Sequence, residues 1–238
     1  MKNRRAFIRV DDVWELSRDF ALLLEVAKRH DTLLSVGIVP MKTTKKFARQ
    51  LSGMKKEGLI CIHQHGVYHR RRKKGEFGTA GDEQLIKLGS QKMYGFFREY
   101  PKVISLPWQY YTPKTLKLFA KYSYEVISAH FDQRFLAHFF YFVGKKLKRQ
   151  FLFGRRISYH GEIIPRTNIK ELSTSIDLLR SYNPYEWKKS QEVIDELKNF
   201  KNEDLGLLIH PSEINGSLEE IGRIFEYLKN NYELHGLS

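Results

Sequence analysis

The residues best suited to chemistry are acids and imidazoles at the ends of short β-branched runs. Asp11-Asp12 ends IRVDDV, His63, His65 and His69 lie within HQHGVYH, Pro107-Trp108 follows VISL, His130 and Asp132 follow EVISA, and His210-Pro211 follows LGLLI. Adjacent carboxylates in extended chain point to opposite faces, so the aspartate doublet serves one site only where its strand ends or twists. There, one acid can bind a cation while the other removes a proton. The plainer role for the doublet is a strand-end turn in which one aspartate caps the helix starting near Ser17. The four-residue spacing of His65 and His69 places both on one side of a helical turn, and His63 shares a strand face with His65. Two imidazoles and a carboxylate form a common ligand set for a hydrolytic zinc, leaving a position for water. The adjoining RRRKK offers the alternative of a solvated basic loop. His210 by itself reads as a packed core residue. Trp14, Trp108, Tyr110 and Tyr111 can stack on a sugar ring or simply close the mouth of a barrel.

These residues are positioned by an alternation of strands and helices. AFIRVDDV reads as a strand, and LSRDFALLLEVAKRH follows it with apolar residues at helical spacing. LLSVGIVP, GLICIHQHG, VISLPW, EVISAHF, ELSTSIDLL and LGLLIHPSE continue the strand series. Between them the pattern predicts helices over TTKKFARQLSGM, capped by Thr43 or Thr44, over 83–98, from Pro113, over PYEWKKSQEVIDELKNF and after Asn215. Such a beat implies parallel strands crossed by helices, with chemistry at the carboxyl ends of the strands. The predicted fold class is α/β, a distorted or incomplete (β/α) barrel of about seven parallel strands, with residues 1–238 forming a single domain. Neither a glycine-rich dinucleotide fingerprint nor a phosphate loop occurs.

The ordered set resembles the polysaccharide deacetylase family: an aspartate doublet on the first strand, HxxxH after the third, a proline-aromatic segment after the fourth and Leu-x-His-Pro on the last. HQHGVYH, KKGEFG and LPWQYYTP are similar to a branch associated with polysaccharide biosynthesis. The resemblance covers nearly the whole chain. It implies a barrel that removes an acyl group, usually acetyl, from the nitrogen of an amino sugar, using one divalent metal ion, zinc first among the candidates. Asp11 is then the general base, Asp12, His65 and His69 the metal ligands, and His210 the general acid. Arg9, His63, Pro107, Trp108 and Tyr110 are the expected substrate contacts. Two departures stand out. Many members carry an arginine before the proline of the fourth strand, where it orients the catalytic aspartate, whereas Ser105-Leu106-Pro107 has none; Arg9, on the strand face of Asp11, is the candidate substitute. The aspartate-tryptophan motif of a late strand is represented only by Asp177 and Trp187, ten residues apart.

Composition bounds the setting. The chain has 238 residues, 41 basic and 27 acidic, a net charge of +14 and a single cysteine, Cys61, which excludes an internal disulfide and predicts a reducing compartment. No apolar stretch of signal-peptide length opens the sequence, and FLAHFFYFVG at 135–144 is far short of a membrane span. The expected localisation is therefore cytoplasmic. From Gln133 to Gly161 there is no acidic residue among seven Lys/Arg and eight Phe/Tyr. This composition suits peripheral contact with an anionic membrane at its inner face, and makes a lipid-linked saccharide a plausible substrate. A helix packing its aromatics on the barrel is the bland alternative. Nucleic-acid binding accounts for the charge but leaves the carboxylates and imidazoles unexplained. Two rivals to hydrolysis stay open: a saccharide-binding barrel without catalysis, and a basic binding module.

Overall fold

A computed structural model describes residues 4–70, 75–77, 82–200, 204–212 and 214–237. Most of the basic, glycine-rich loop expected at 70–82 lies outside them. The barrel strands are β1 (Arg5–Val13), β2 (Leu34–Ile38), β3 (Ile60–His65), β4 (Val103–Ser105) and β5 (Val126–Ser128). They are crossed by α1 (Arg18–Arg29), α2 (Lys45–Lys56), α3 (Asp82–Phe97) and α4 (Pro113–Lys121). After α5 (Phe135–Lys146) comes a small hairpin, β6 (Phe151–Leu152) with β7 (Arg155–Arg156). The short strands β8 (Lys170–Glu171) and β9 (Ile176–Asp177) follow, then a second hairpin, β10 (Leu179–Tyr182) with β11 (Tyr185–Trp187). The chain finishes with α6 (Ser190–Asn199), β12 (Asp204–Ile209), α7 (Leu218–Asn231) and β13 (Glu233–Leu234), the last pairing with the start of β1.

The sheet order is β8-β5-β4-β3-β2-β1-β12-β9, with every neighbouring pair parallel. The two outermost strands belong to one extended segment. Leu172 and Thr174 donate backbone hydrogen bonds to Ile127 and Ala129 beside β5, while Ser175 and Leu178 donate to Gly206 and Leu208 of β12. One pass of chain thus bridges both edges, so eight strand segments come from seven passes. The fold is the expected distorted (β/α) barrel.

β2 and β12 are buried along their whole length, as parallel strands covered on both faces must be. Phe20 and Leu23 of α1, Phe47 and Leu51 of α2, Phe119 of α4 and Phe225 of α7 belong to the surrounding core. Ser17 caps α1 by accepting from Phe20 N, so neither aspartate of the doublet has that role; Thr44 caps α2 and Thr112 caps α4. The helix expected from Pro184 begins only at Ser190, because Tyr185–Trp187 is paired in the second hairpin. No helix among the described residues is long and apolar enough to cross a membrane.

A buried polar lock fastens the bridging segment. Glu171 accepts from Arg156 Nη1 (2.9 Å), Ser173 Oγ (2.6 Å) and Tyr159 N (2.9 Å). Burial pushes its carboxyl up, but Arg156 and these donors outweigh burial and hold it below the usual carboxylate range. A depressed carboxyl contributes stability that is complete above its unfolded-state pKa and lost as pH falls through the folded-state value. Wild-type stability should therefore decline below about pH 4.5. Glu171→Gln should flatten that limb while costing about 3–5 kcal/mol at neutral pH, since Arg156 loses its buried partner. Urea melts from pH 3 to 7 measure both effects.

Candidate active site

The doublet reaches one site because β1 breaks its register there. Val10 pairs with Val36 and Val13 with Ile38, so three steps along β1 match two along β2, and Asp12 takes a left-handed backbone (φ 61°). This bulge turns both carboxylates toward β3. Asp11 Oδ1 lies 3.6 Å from His65 Nδ1, and Asp12 Oδ1 lies 3.2 Å from His65 Nε2 and 2.8 Å from His69 Nε2. One ligand atom from each of Asp12, His65 and His69 lies within 4.8 Å of the other two, close enough to share a metal ion.

His69 arrives by a different route from the expected helical turn. Gly66 (φ 58°) and His69 (φ 53°) bend the chain after β3 instead. Glu76 holds the bend, accepting from Val67 N (2.9 Å) and Tyr68 N (2.7 Å), and Gln64 Nε2 donates to Gly66 O (2.8 Å). A side chain at Gly66 would run into Glu76 and Pro107. Trp108, also left-handed (φ 55°), lays its ring 4.7 Å from that of His69. Left-handed backbone at bulky residues is costly and persists only where surrounding contacts enforce it.

Beneath the carboxylates lies a buried polar layer. Arg9, with no exposed surface, donates from Nη2 to Asp11 Oδ2 (2.8 Å) and from Nη1 to Ser128 Oγ (2.8 Å). Ser105 Oγ bonds both His63 Nε2 (2.9 Å) and His65 Nδ1 (2.8 Å). Arg9 and His63, expected as substrate contacts, are buried and do not line the cavity; Arg9 bonds Asp11, which does, and His63 is linked through Ser105 to His65, which does. Tyr110 does not line the cavity, and neither do Trp14, Tyr111, His130 or Asp132; Asp132 pairs with Arg134. Pro107 and Trp108 do, together with Asp11, Asp12, His65, His69, Gln109, Tyr182 and His210, around a space of about 390 Å³.

His210 Nε2 stands 4.0 Å from Asp12 Oδ2. Its other nitrogen, Nδ1, is 3.1 Å from the hydroxyl of Tyr182, which hydrogen-bonds Asp177 Oδ2. Burial, then Asp177, raises the phenol well above its usual range. The neutral hydroxyl commits its proton to the carboxylate, so Nδ1–H of His210 donates to Tyr182 and Nε2 is free on the cavity side. Asp177 thus acts through Tyr182, while Trp187 stays in the hairpin, off the cavity.

Charge explains what the cluster can hold. Burial raises Asp11, yet Arg9, then His65, His210 and His63, hold it below the usual carboxylate range. Burial also raises Asp12, and the facing imidazoles of His65 and His69 pull it far below that range. Burial drives His63 down to about 3, leaving a neutral ring. Burial opposes protonation of His65 too, but Asp11 and Asp12 overcome it and raise the imidazole. Asp12 Oδ1 is buried without a well-formed hydrogen bond despite two imidazole nitrogens within 3.2 Å. An orphaned carboxylate oxygen facing two imidazole nitrogens is a donor set that fits a divalent cation.

Sequence reasoning missed Glu76, Gly37 and Tyr182 as positioning residues. Gly37 of β2 faces the cluster: a Cβ there would lie 2.9 Å from His63 Nε2 and 3.1 Å from Asp11 Oδ1. Gly37→Ala should weaken divalent-ion affinity about 10–100-fold by displacing the groups that orient the ligands. Gly53→Ala, with nothing within 4 Å, should leave it unchanged. Isothermal titration with zinc and cobalt checks both.

No protein-family model matches the sequence, and no curated protein does. Solved structures do match. The chain is 13% identical to a peptidoglycan N-acetylglucosamine deacetylase, covering 100% of this chain and 88% of that one at a TM-score of 0.63. It is 12% identical to a family 4 acetyl xylan esterase from Clostridium thermocellum bound to cobalt, covering 98% and 88% at 0.61. It is 9% identical to a CE4 family pseudoenzyme from Bacillus anthracis, covering 100% and 65% at 0.59. At these identities the likeness establishes a shared fold.

Proposed function

We propose that this chain, which has the fold of the polysaccharide deacetylases, is a metal-dependent hydrolase removing an N-acyl group, acetyl in the simplest case, from an amino sugar of a saccharide. The observation that carries the reading is the convergence of Asp12, His65 and His69 beside a second carboxylate, Asp11, gripped by a buried arginine. A divalent ion held by Asp12, His65 and His69, zinc first among the candidates, supplies Lewis acidity toward an amide carbonyl and lowers the pKa of a water.

The remaining work falls to the chain's own groups. Asp11 receives the water's proton: Arg9 fixes Oδ2, leaving Oδ1 on the side of His65. His210, entering protonated, delivers a proton from Nε2 to the departing amine, an essential step because an amine leaves poorly as an anion. Tyr182 and Asp177 hold the His210 ring so that Nε2 stays on the cavity side. Trp108, 40% exposed, and Tyr182, 47% exposed, offer ring faces and edges for a pyranose. Among the similar structures, one acts on peptidoglycan N-acetylglucosamine, which supports an amino-sugar substrate.

The saccharide-binding barrel without catalysis has its counterpart in the similar pseudoenzyme. Against that reading stands Arg9, whose 2.8 Å bond to Asp11 supplies the guanidinium missing before Pro107. A lipid-linked saccharide made at the cytoplasmic face of a membrane, as part of polysaccharide biosynthesis, is the substrate form best suited to the aromatic and basic surface around α5.

Metal analysis of protein purified without chelator should find about one divalent ion per chain, absent in Asp12→Ala and His65→Ala. Acetate release from N-acetylated oligosaccharides should fall about 10²–10⁴-fold in Asp11→Asn and in His210→Ala. Full activity of Asp11→Asn removes that residue as base. Tyr182→Phe should lower kcat about tenfold or more at nearly unchanged KM, as expected for a residue that orients the acid.

A further inference from the structure

α5 shows its aromatic face to solvent. Tyr141 and Gly144 point inward, whereas Phe135 is 84% exposed, Phe139 57% and Phe142 58%. Spaced four and three residues apart, these rings stack along one stripe of the helix, and Lys146 continues it one turn later. Leu136 and Leu147 flank the stripe at 66% and 58% exposure. Beside the helix, the β6–β7 hairpin presents Phe153, 87% exposed, and Arg155, whose guanidinium sits 5.1 Å from the ring of Phe140.

The unpaired charge around these rings, among the described residues, has one sign. Lys146, Lys148, Arg149 and Arg155 are exposed, and none has a carboxylate within 4.0 Å among the described residues. Lys145, Arg134 and Arg156, by contrast, are paired with Glu162, Asp132 and Glu171. Lys146 lies 4.7 Å from the Phe142 ring, with its charge at the rim of the apolar stripe. A large exposed apolar patch needs a partner. Exposed phenylalanines interleaved with unpaired cations match an anionic bilayer, where rings enter the headgroup–acyl boundary and cations meet lipid phosphates. A second copy of this chain would set the same uncompensated cations against one another.

We infer that the exposed stripe of α5 together with the β6–β7 hairpin tip is a peripheral docking surface for anionic membranes. α5 starts after the carboxyl end of β5, and further along it Phe142 and Lys145 come beside Arg5 and Asp204 at the amino ends of β1 and β12, so the stripe runs along the wall of the barrel. If the deacetylase reading holds, docking keeps the molecule at a surface where a lipid-linked saccharide displays its sugar. The docking itself stands independently of that reading.

Co-sedimentation of the full chain with vesicles of equal parts phosphatidylglycerol and phosphatidylcholine, against phosphatidylcholine alone, tests the surface directly. Partitioning onto the anionic vesicles should be at least about tenfold stronger and should fall as salt is raised. It should drop at least about tenfold in Phe135→Ser/Phe139→Ser/Phe142→Ser, and separately in Lys146→Gln/Lys148→Gln/Arg149→Gln/Arg155→Gln. Thermal melts and zinc content of both variants should match wild type, since the substituted side chains are exposed. Equal partitioning of wild type and both variants, or no wild-type binding to anionic vesicles, overturns the proposal. So does a wild-type dimer in light scattering that the phenylalanine variant abolishes without any vesicle binding. Because zinc content and acetate release are measured on soluble protein, a failure of membrane binding and a failure of the hydrolase reading are told apart.

Discussion

The site hangs on a single backbone irregularity. In regular extended chain Asp11 and Asp12 would face opposite sides of β1, one inward and one into the helical layer. The bulge between Val10 and Val13, with Asp12 left-handed, brings both carboxylates to His65. That arrangement is electrostatically unfavourable on its own, because two buried carboxylates a few ångströms apart repel. It is sustained by Arg9 below and the imidazoles above. Backbone strain and charge balance here are two sides of one constraint.

The polar layer beneath the opening follows from the barrel's geometry. Inward residues two apart on a strand sit one layer apart in depth. Arg9 lies one layer below Asp11, and His63 one layer below His65; all four are buried, but only the upper pair lines the cavity. Ser105, at the end of the fourth strand, is small enough to bond His63 and His65 together.

Much of this architecture was legible in the chain. The strand–helix beat located the barrel strands and most helices, because fully buried parallel strands read as short apolar runs and amphipathic helices carry their own period. The polar strand ends marked Asp11, Asp12, His65, His69, Pro107, Trp108 and His210, all of which line one cavity. What stayed hidden depended on tertiary contacts. The helical turn expected for His65 and His69 fails because Gly66 and His69 take positive φ, enforced by Glu76, a lone acid in a basic tract. The PYEWKKS stretch reads as helix by composition but pairs as a strand, and that pairing delivers Tyr182 to His210. Arg9 was visible as a partner for Asp11 by strand periodicity, yet its depth was not. His130 and Asp132 end a strand as polar as the others, but sit aside from the cavity.

The position of β1 also shapes the order in which the molecule comes together on the ribosome. Its neighbours in the ring are β2, made almost at once, and β12, made after the other strands of the ring. The three residues grouped for a cation lie on β1 and just after β3, whereas His210 follows β12, much later in the chain. A nascent chain can therefore gather those ligands early while one flank of β1 stays unpaired, an open template for wrong partners until β12 arrives. Ligation of an ion at that stage would fasten β1 to β3 and keep the unfinished ring in register during the wait.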